Sequence, residues 1–78
     1  MPRVFFHVID DLVTIDEEGV ELPDREAVRR YAEAGARGLM CDQLTKGRLN
    51  LSHRIDAKDE KGRPVLTLYF RDVVTIEG

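Results

Sequence analysis

The apolar positions of this chain follow two periods. Near the start, RVFFHVI (residues 3–9) alternates, with Val4, Phe6 and Val8 pointing one way and Arg3, Phe5, His7 and Ile9 the other. Asp10-Asp11 is a turn signal, and LVTID (12–16) returns as the second strand of a hairpin. Glu17-Glu18-Gly19 ends that strand, and Val20 to Pro23 lead onward. From Asp24 to Lys46 the period lengthens to that of a helix. Val28, Ala32, Gly35, Ala36 and Leu39 fall in one sector, with Tyr31 and Met40 on its shoulders. Asp24 is a good N-cap, Glu26 suits the positive end of the dipole, and Gly47 suits a left-handed C′ position. Glycine inside a helix costs about 1 kcal/mol relative to alanine, so Gly35 is expected where the helix packs closely on a sheet.

Alternation resumes in RLNLSHRIDA (48–57), which places Leu49, Leu51, His53 and Ile55 on one face. Lys58-Asp59-Glu60-Lys61-Gly62 is a polar reversal, and PVLTLYFR (64–71) is the last clear strand, with a kink near Asp72. The order is therefore β-β-α-β-β. It predicts an α+β fold, an antiparallel sheet with one long helix packed on one face. The expected core is Val4, Phe6, Val8, Val13, Ile15, Val28, Ala32, Leu39, Leu51, Ile55, Leu66, Leu68 and Phe70.

The 78 residues are read as one domain, 1–78. A chain of this size buries only about 60% of its extended surface. With a single cysteine it has no intrachain disulfide, which favours self-association. A net charge of −3 argues against general phosphate-backbone binding. No apolar run approaches the roughly 18 residues of a membrane-spanning helix, and the N-terminus lacks a signal-peptide layout. The expectation is a soluble, cytoplasmic protein without a membrane partner.

Three stretches carry a resemblance: the opening P-R-V-F-F-H-V, D-x-E-G-V-E-L-P-D-x-E-A before the helix, and D-E-K-G-R-P-V ahead of the last strand. Together they span nearly the whole chain. They are similar to a family of short bacterial proteins, found largely in alphaproteobacteria, that is a domain of unknown function. The resemblance implies a bacterial origin and a stand-alone small domain. It transfers no catalytic residue.

If the helix covers one sheet face, the other carries Arg3, Phe5, His7, Arg54, Thr67, Tyr69 and Arg71. These are the candidate binding residues. Three readings compete for them. Phe5 and Tyr69 form a cross-strand pair that only stiffens the sheet. Or the face, or a sheet edge, is a protein interface, with homodimerisation the simplest case. Or rings stack bases and arginines hold phosphates of a single strand. Whether the first and last strands are neighbours decides if the two rings touch.

Other chemistry is thinly supported. His7, Asp10 and Asp11 make an H-x-x-D-D run, but strand geometry does not bring them together as metal ligands. His53 fits a hydrogen-bonded, half-buried histidine better than a general base, because no nucleophile is matched to it. Asp16-Glu17-Glu18 reads as a solvated loop, and nothing activates Cys41. Glu26–Arg30 and Glu33–Arg37 are i,i+4 pairs, so the helix arginines read as a solvated face. The sequence therefore predicts a non-enzymatic interaction or self-assembly module with no cofactor and no metal. A nucleic-acid-binding or regulatory protein is the alternative.

Overall fold

Asp24 opens the helix through its side chain. In the computed structural model, which describes residues 3–78, its backbone is extended and its carboxylate accepts from the Ala27 amide at 2.8 Å. Pro2, in the opening motif, lies outside the described residues. Helix α1 runs Arg25–Thr45 and stops at Lys46. Gly47 then takes φ +80, and its amide donates to the Leu44 carbonyl at 2.9 Å. One line of residues four apart, Val28, Ala32, Ala36 and Met40, is fully buried.

Gly35 does not lie on that line. It is exposed, and a Cβ there would meet only Ile55 Cδ1, at 3.8 Å. Gly38 has nothing within 4 Å. The expected close approach at Gly35 is thus corrected: small size is used at Ala32 and Ala36 instead.

Five strands form one antiparallel sheet: β1 Arg3–Ile9, β2 Val13–Thr14, β3 Val20–Glu21, β4 Arg54–Lys58 and β5 Pro64–Tyr69. The order is β2-β1-β4-β5, and the short β3, unexpected from the sequence, also pairs with β1. The helix covers one face, as alternation predicts. Beneath it lie Val4, Ile55, Ala57, Leu68 and Phe70, each at most 3% exposed, with Phe6 and Leu66 half-buried. Strand β4 is shorter than the alternation over 48–57 implies. The Asn50 side chain accepts from the Ser52 amide at 2.9 Å and bends the chain into a turn before Arg54. After β5 the chain kinks into a 3-10 turn, Phe70–Asp72, whose Asp72 accepts from the Tyr69 amide at 3.1 Å.

Val13 and Ile15 were expected in the core, and both are out of it, at 62% and 57% exposed. A two-residue Asp10-Asp11 turn would set Leu12 opposite Ile9 and Val13 opposite Val8, facing the helix. The chain instead turns through Asp10, Asp11 and Leu12, and Val13 pairs with Ile9. One extra residue reverses the facing of everything after it.

Between β2 and β3 the outer edge of β1 has no strand, and Asp16 supplies the missing acceptor. One carboxylate oxygen accepts from the Phe6 amide at 3.0 Å; the other accepts from the Glu18 and Gly19 amides, each at 3.1 Å. Burial opposes the charge of Asp16, but these three donors, with His7 nearby, outweigh it and hold the carboxyl below its ordinary value of 3.8. The turn so formed requires glycine. Gly19 has φ +69, and a Cβ would lie 2.7 Å from Arg3 Cγ and 2.9 Å from Phe5 Cε2.

Two predictions follow from this packing. Gly35→Ala should stabilise the fold by up to about 1 kcal/mol, since helix propensity improves and space is available; urea denaturation reads it directly. Asp16→Ala should destabilise by about 1–3 kcal/mol at neutral pH, because part-buried donors lose their acceptor. The folded carboxyl has the lower pKa, so its contribution is present above pH 3.8 and lost as pH falls through the folded value. The difference between wild type and variant should therefore shrink in acid.

Candidate functional site

The open face does not hold the seven candidate residues as one patch. Strand β4 separates β1 from β5, so the first and last strands are not neighbours. Phe5 lies opposite Lys58, at the Pro64 end of β5, whereas Tyr69 lies opposite Arg54, at the Ile9 end of β1. The two rings occupy opposite corners of the sheet and cannot stack. Phe5 is also roofed by Gly19.

Arg3 is occupied in the same corner. Its guanidinium donates to the Glu18 and Gly19 carbonyls at 3.0 and 3.3 Å and pairs with Glu21 at 3.4 Å. His7 accepts at Nδ1 from the Asp16 amide at 3.0 Å, so it faces that loop rather than Asp10 or Asp11. The H-x-x-D-D run does not converge. Among the described residues no group of three or more His, Cys, Asp or Glu is placed to hold a metal ion.

In the other corner Arg54 pairs with Asp56 at 3.1 Å, next to the exposed Thr67. The Arg71 guanidinium lies 5.6 Å from the centre of the Tyr69 ring, a cation–π arrangement. The structure thus joins Arg54, Thr67, Tyr69 and Arg71, and assigns Arg3, Phe5 and His7 to holding the β2–β3 loop.

Two of the residues that alternation assigns to the core, Val13 and Ile15, supply apolar surface on this face instead. They are 62% and 57% exposed, Val13 sits beside Ile9, and Leu12 in the adjoining turn is 76% exposed. The signal for it is the length of the hairpin connection, which local pattern alone does not settle.

The sheet edges are less open. On the free side of β5, Arg25 donates to the Val65 carbonyl at 2.9 Å and Asp72 accepts from the Tyr69 amide. Side chains blunt that edge at both ends. Two more helix arginines are engaged: Arg30 with Glu26 at 3.6 Å, and Arg37 with the Val73 carbonyl at 3.2 Å rather than with Glu33.

A separate groove of about 600 Å3 opens at the carbonyl end of α1, between the β1–β2 turn and the chain entering β4. Asp10, Asp11, Lys46, Arg48, Leu49 and Leu51 line it, with His53 at its base. His53 is 9% exposed and packs edge-on against Phe70, with ring centres 5.7 Å apart. Its Nε2 is buried without a hydrogen-bond partner, 3.6 Å from a carboxylate oxygen of Asp11.

A family model described as "Domain of unknown function (DUF6894)" matches residues 3–71. No curated protein and no solved structure matches the chain. No helix among the described residues is long and apolar enough to cross a membrane. With most of its length matched, including all five strands and the helix, this chain belongs to the DUF6894 family.

Proposed function

We propose that the domain is a protein-interaction module that self-associates through the hairpin end of its open sheet face. The observation that carries this reading is the run Leu12, Val13 and Ile15, three large aliphatic side chains more than half exposed within four residues. Single exposed apolar residues are ordinary; a contiguous group next to a bare sheet face is the kind of surface that proteins cover. Burying one such side chain contributes about 1.5–3 kcal/mol. Val13, Ile9, Arg54 and Tyr69 follow one another across the strands of this face, with Arg71 beside the Tyr69 ring. Arg and Tyr are favoured at interfaces, and Asp56 can complement the arginines of a second copy. A standard interface takes about 800 Å2 from each partner, a substantial part of the 5457 Å2 that this chain exposes.

The single-strand platform receives less support. Phe5 and Tyr69 are apart, Arg3 and Arg54 are paired with acids, and net charge is −3. Its distinguishing outcome is a salt-sensitive shift with oligonucleotides.

Sedimentation equilibrium should give a mass near twice the 8.9 kDa of one chain. Leu12→Ser with Val13→Ser should give a monomer of unchanged circular dichroism, since both side chains are already exposed. A wild-type chain that stays monomeric at high concentration overturns self-association. A double variant that stays dimeric moves the contact elsewhere.

A further inference from the structure

The groove at the carbonyl end of α1 contains a hydrogen-bond donor whose identity the surrounding groups determine. The Asn50 backbone amide can only donate, and it donates to Gln43 Oε1 at 3.1 Å. The Gln43 amide nitrogen therefore faces His53 Nδ1, 2.9 Å away, and donates to it. In the neutral ring this leaves the proton on Nε2. Binding a metal at Nε2 would need the opposite tautomer, and hence a rotated Gln43 whose nitrogen would confront the Asn50 amide. Nε2 is a donor, and it is buried with no acceptor in reach.

The atom nearest in role to an acceptor is Asp11 Oδ1, at 3.6 Å, too long for a hydrogen bond. The Asp11 side chain is 83% exposed. It stands at the tip of the β1–β2 turn as a loosely held anion against a fixed donor. Lys46 and Arg48 flank the same groove and form no ion pair among the described residues. The helix end contributes about half a negative charge and Asp10, whose carboxylate accepts from the Leu12 amide, one more; with Asp11 displaced, the two cations outweigh them. Leu49 and Leu51 give the groove an apolar wall.

We propose that this groove binds a small ligand bearing an acid group, a carboxylate or a phosphate monoester, which displaces the Asp11 carboxylate and accepts from His53 Nε2–H between Lys46 and Arg48. Asp11 then acts as an internal stand-in for the ligand. This site is independent of the self-association surface, and its loss would leave the oligomeric state unchanged.

Titration of the 15N-labelled protein with inorganic phosphate, and separately with acetate, tests the proposal. Saturable shifts are expected at His53, Gln43 and residues 46–50. A response to phosphate alone identifies phosphate monoesters, and a response to acetate identifies carboxylates. Asp11→Asn should tighten binding roughly 2- to 5-fold, the scale of one exposed charge interaction. Lys46→Ser with Arg48→Ser, both exposed positions, should abolish the saturable response while the folded spectrum persists. Shifts that grow without saturating, that spread over the helix arginines, or that survive the Lys46/Arg48 variant would show general charge screening and overturn the site. So would a ring 15N spectrum with the proton on Nδ1.

Discussion

The three residues Asp10, Asp11 and Leu12 decide what this domain shows to its surroundings. A strand has only two faces, so the length of a hairpin connection sets the facing of the returning strand. With three residues, Val13 pairs with Ile9 and follows it to the uncovered side. The same connection carries Asp11 toward His53 and leaves Leu12 76% exposed at the tip. Both surfaces, the aliphatic hairpin and the groove with Asp11 against His53, therefore rest on a single register.

The rest of the fold holds that register in place. The helix rests on β4 and β5, and it uses alanines to lie close and Val28 and Met40 to fill its ends. The outer edge of β1 is assembled from two short strands with the Asp16 carboxylate between them. Asp16 and Gly19 shape the loop, and Asp24 starts the helix a few residues on. The acidic stretch from Asp16 to Asp24 works as structure: its carboxylates and its glycine satisfy amides and a turn. Arg3, Phe5 and His7, drawn against that loop, have little surface left for a partner.

Much of this was legible in the amino acids. Asp24 and Gly47 mark the helix ends by local chemistry, and alternation in β1 and β5 correctly assigns which face the helix covers. What was not legible depends on non-local geometry. Strand order separates Phe5 from Tyr69, and nothing in either strand states which neighbour it takes. Alternation from Leu49 to His53 resembles a strand, but Asn50 bends the backbone there, and the side chains of Leu49, Leu51 and His53 pack under the helix end from a turn. Gly35 suggests a tight contact because glycine is costly in a helix, yet it is exposed and has room for a Cβ at ordinary contact distance from Ile55. His53 was expected to be half-buried and is nearly fully so. Its tautomer follows from an Asn50–Gln43 link that spans the helix end and the next turn.

Isotope-filtered NMR on an equimolar mixture of labelled and unlabelled chains tests the central claim most directly. If the three-residue connection turns the hairpin aliphatics outward for a second copy, intermolecular contacts should appear at the methyl groups of Leu12, Val13 and Ile15. Contacts confined to the helix surface or the β5 edge, or none in a dimer of proven mass, would contradict it.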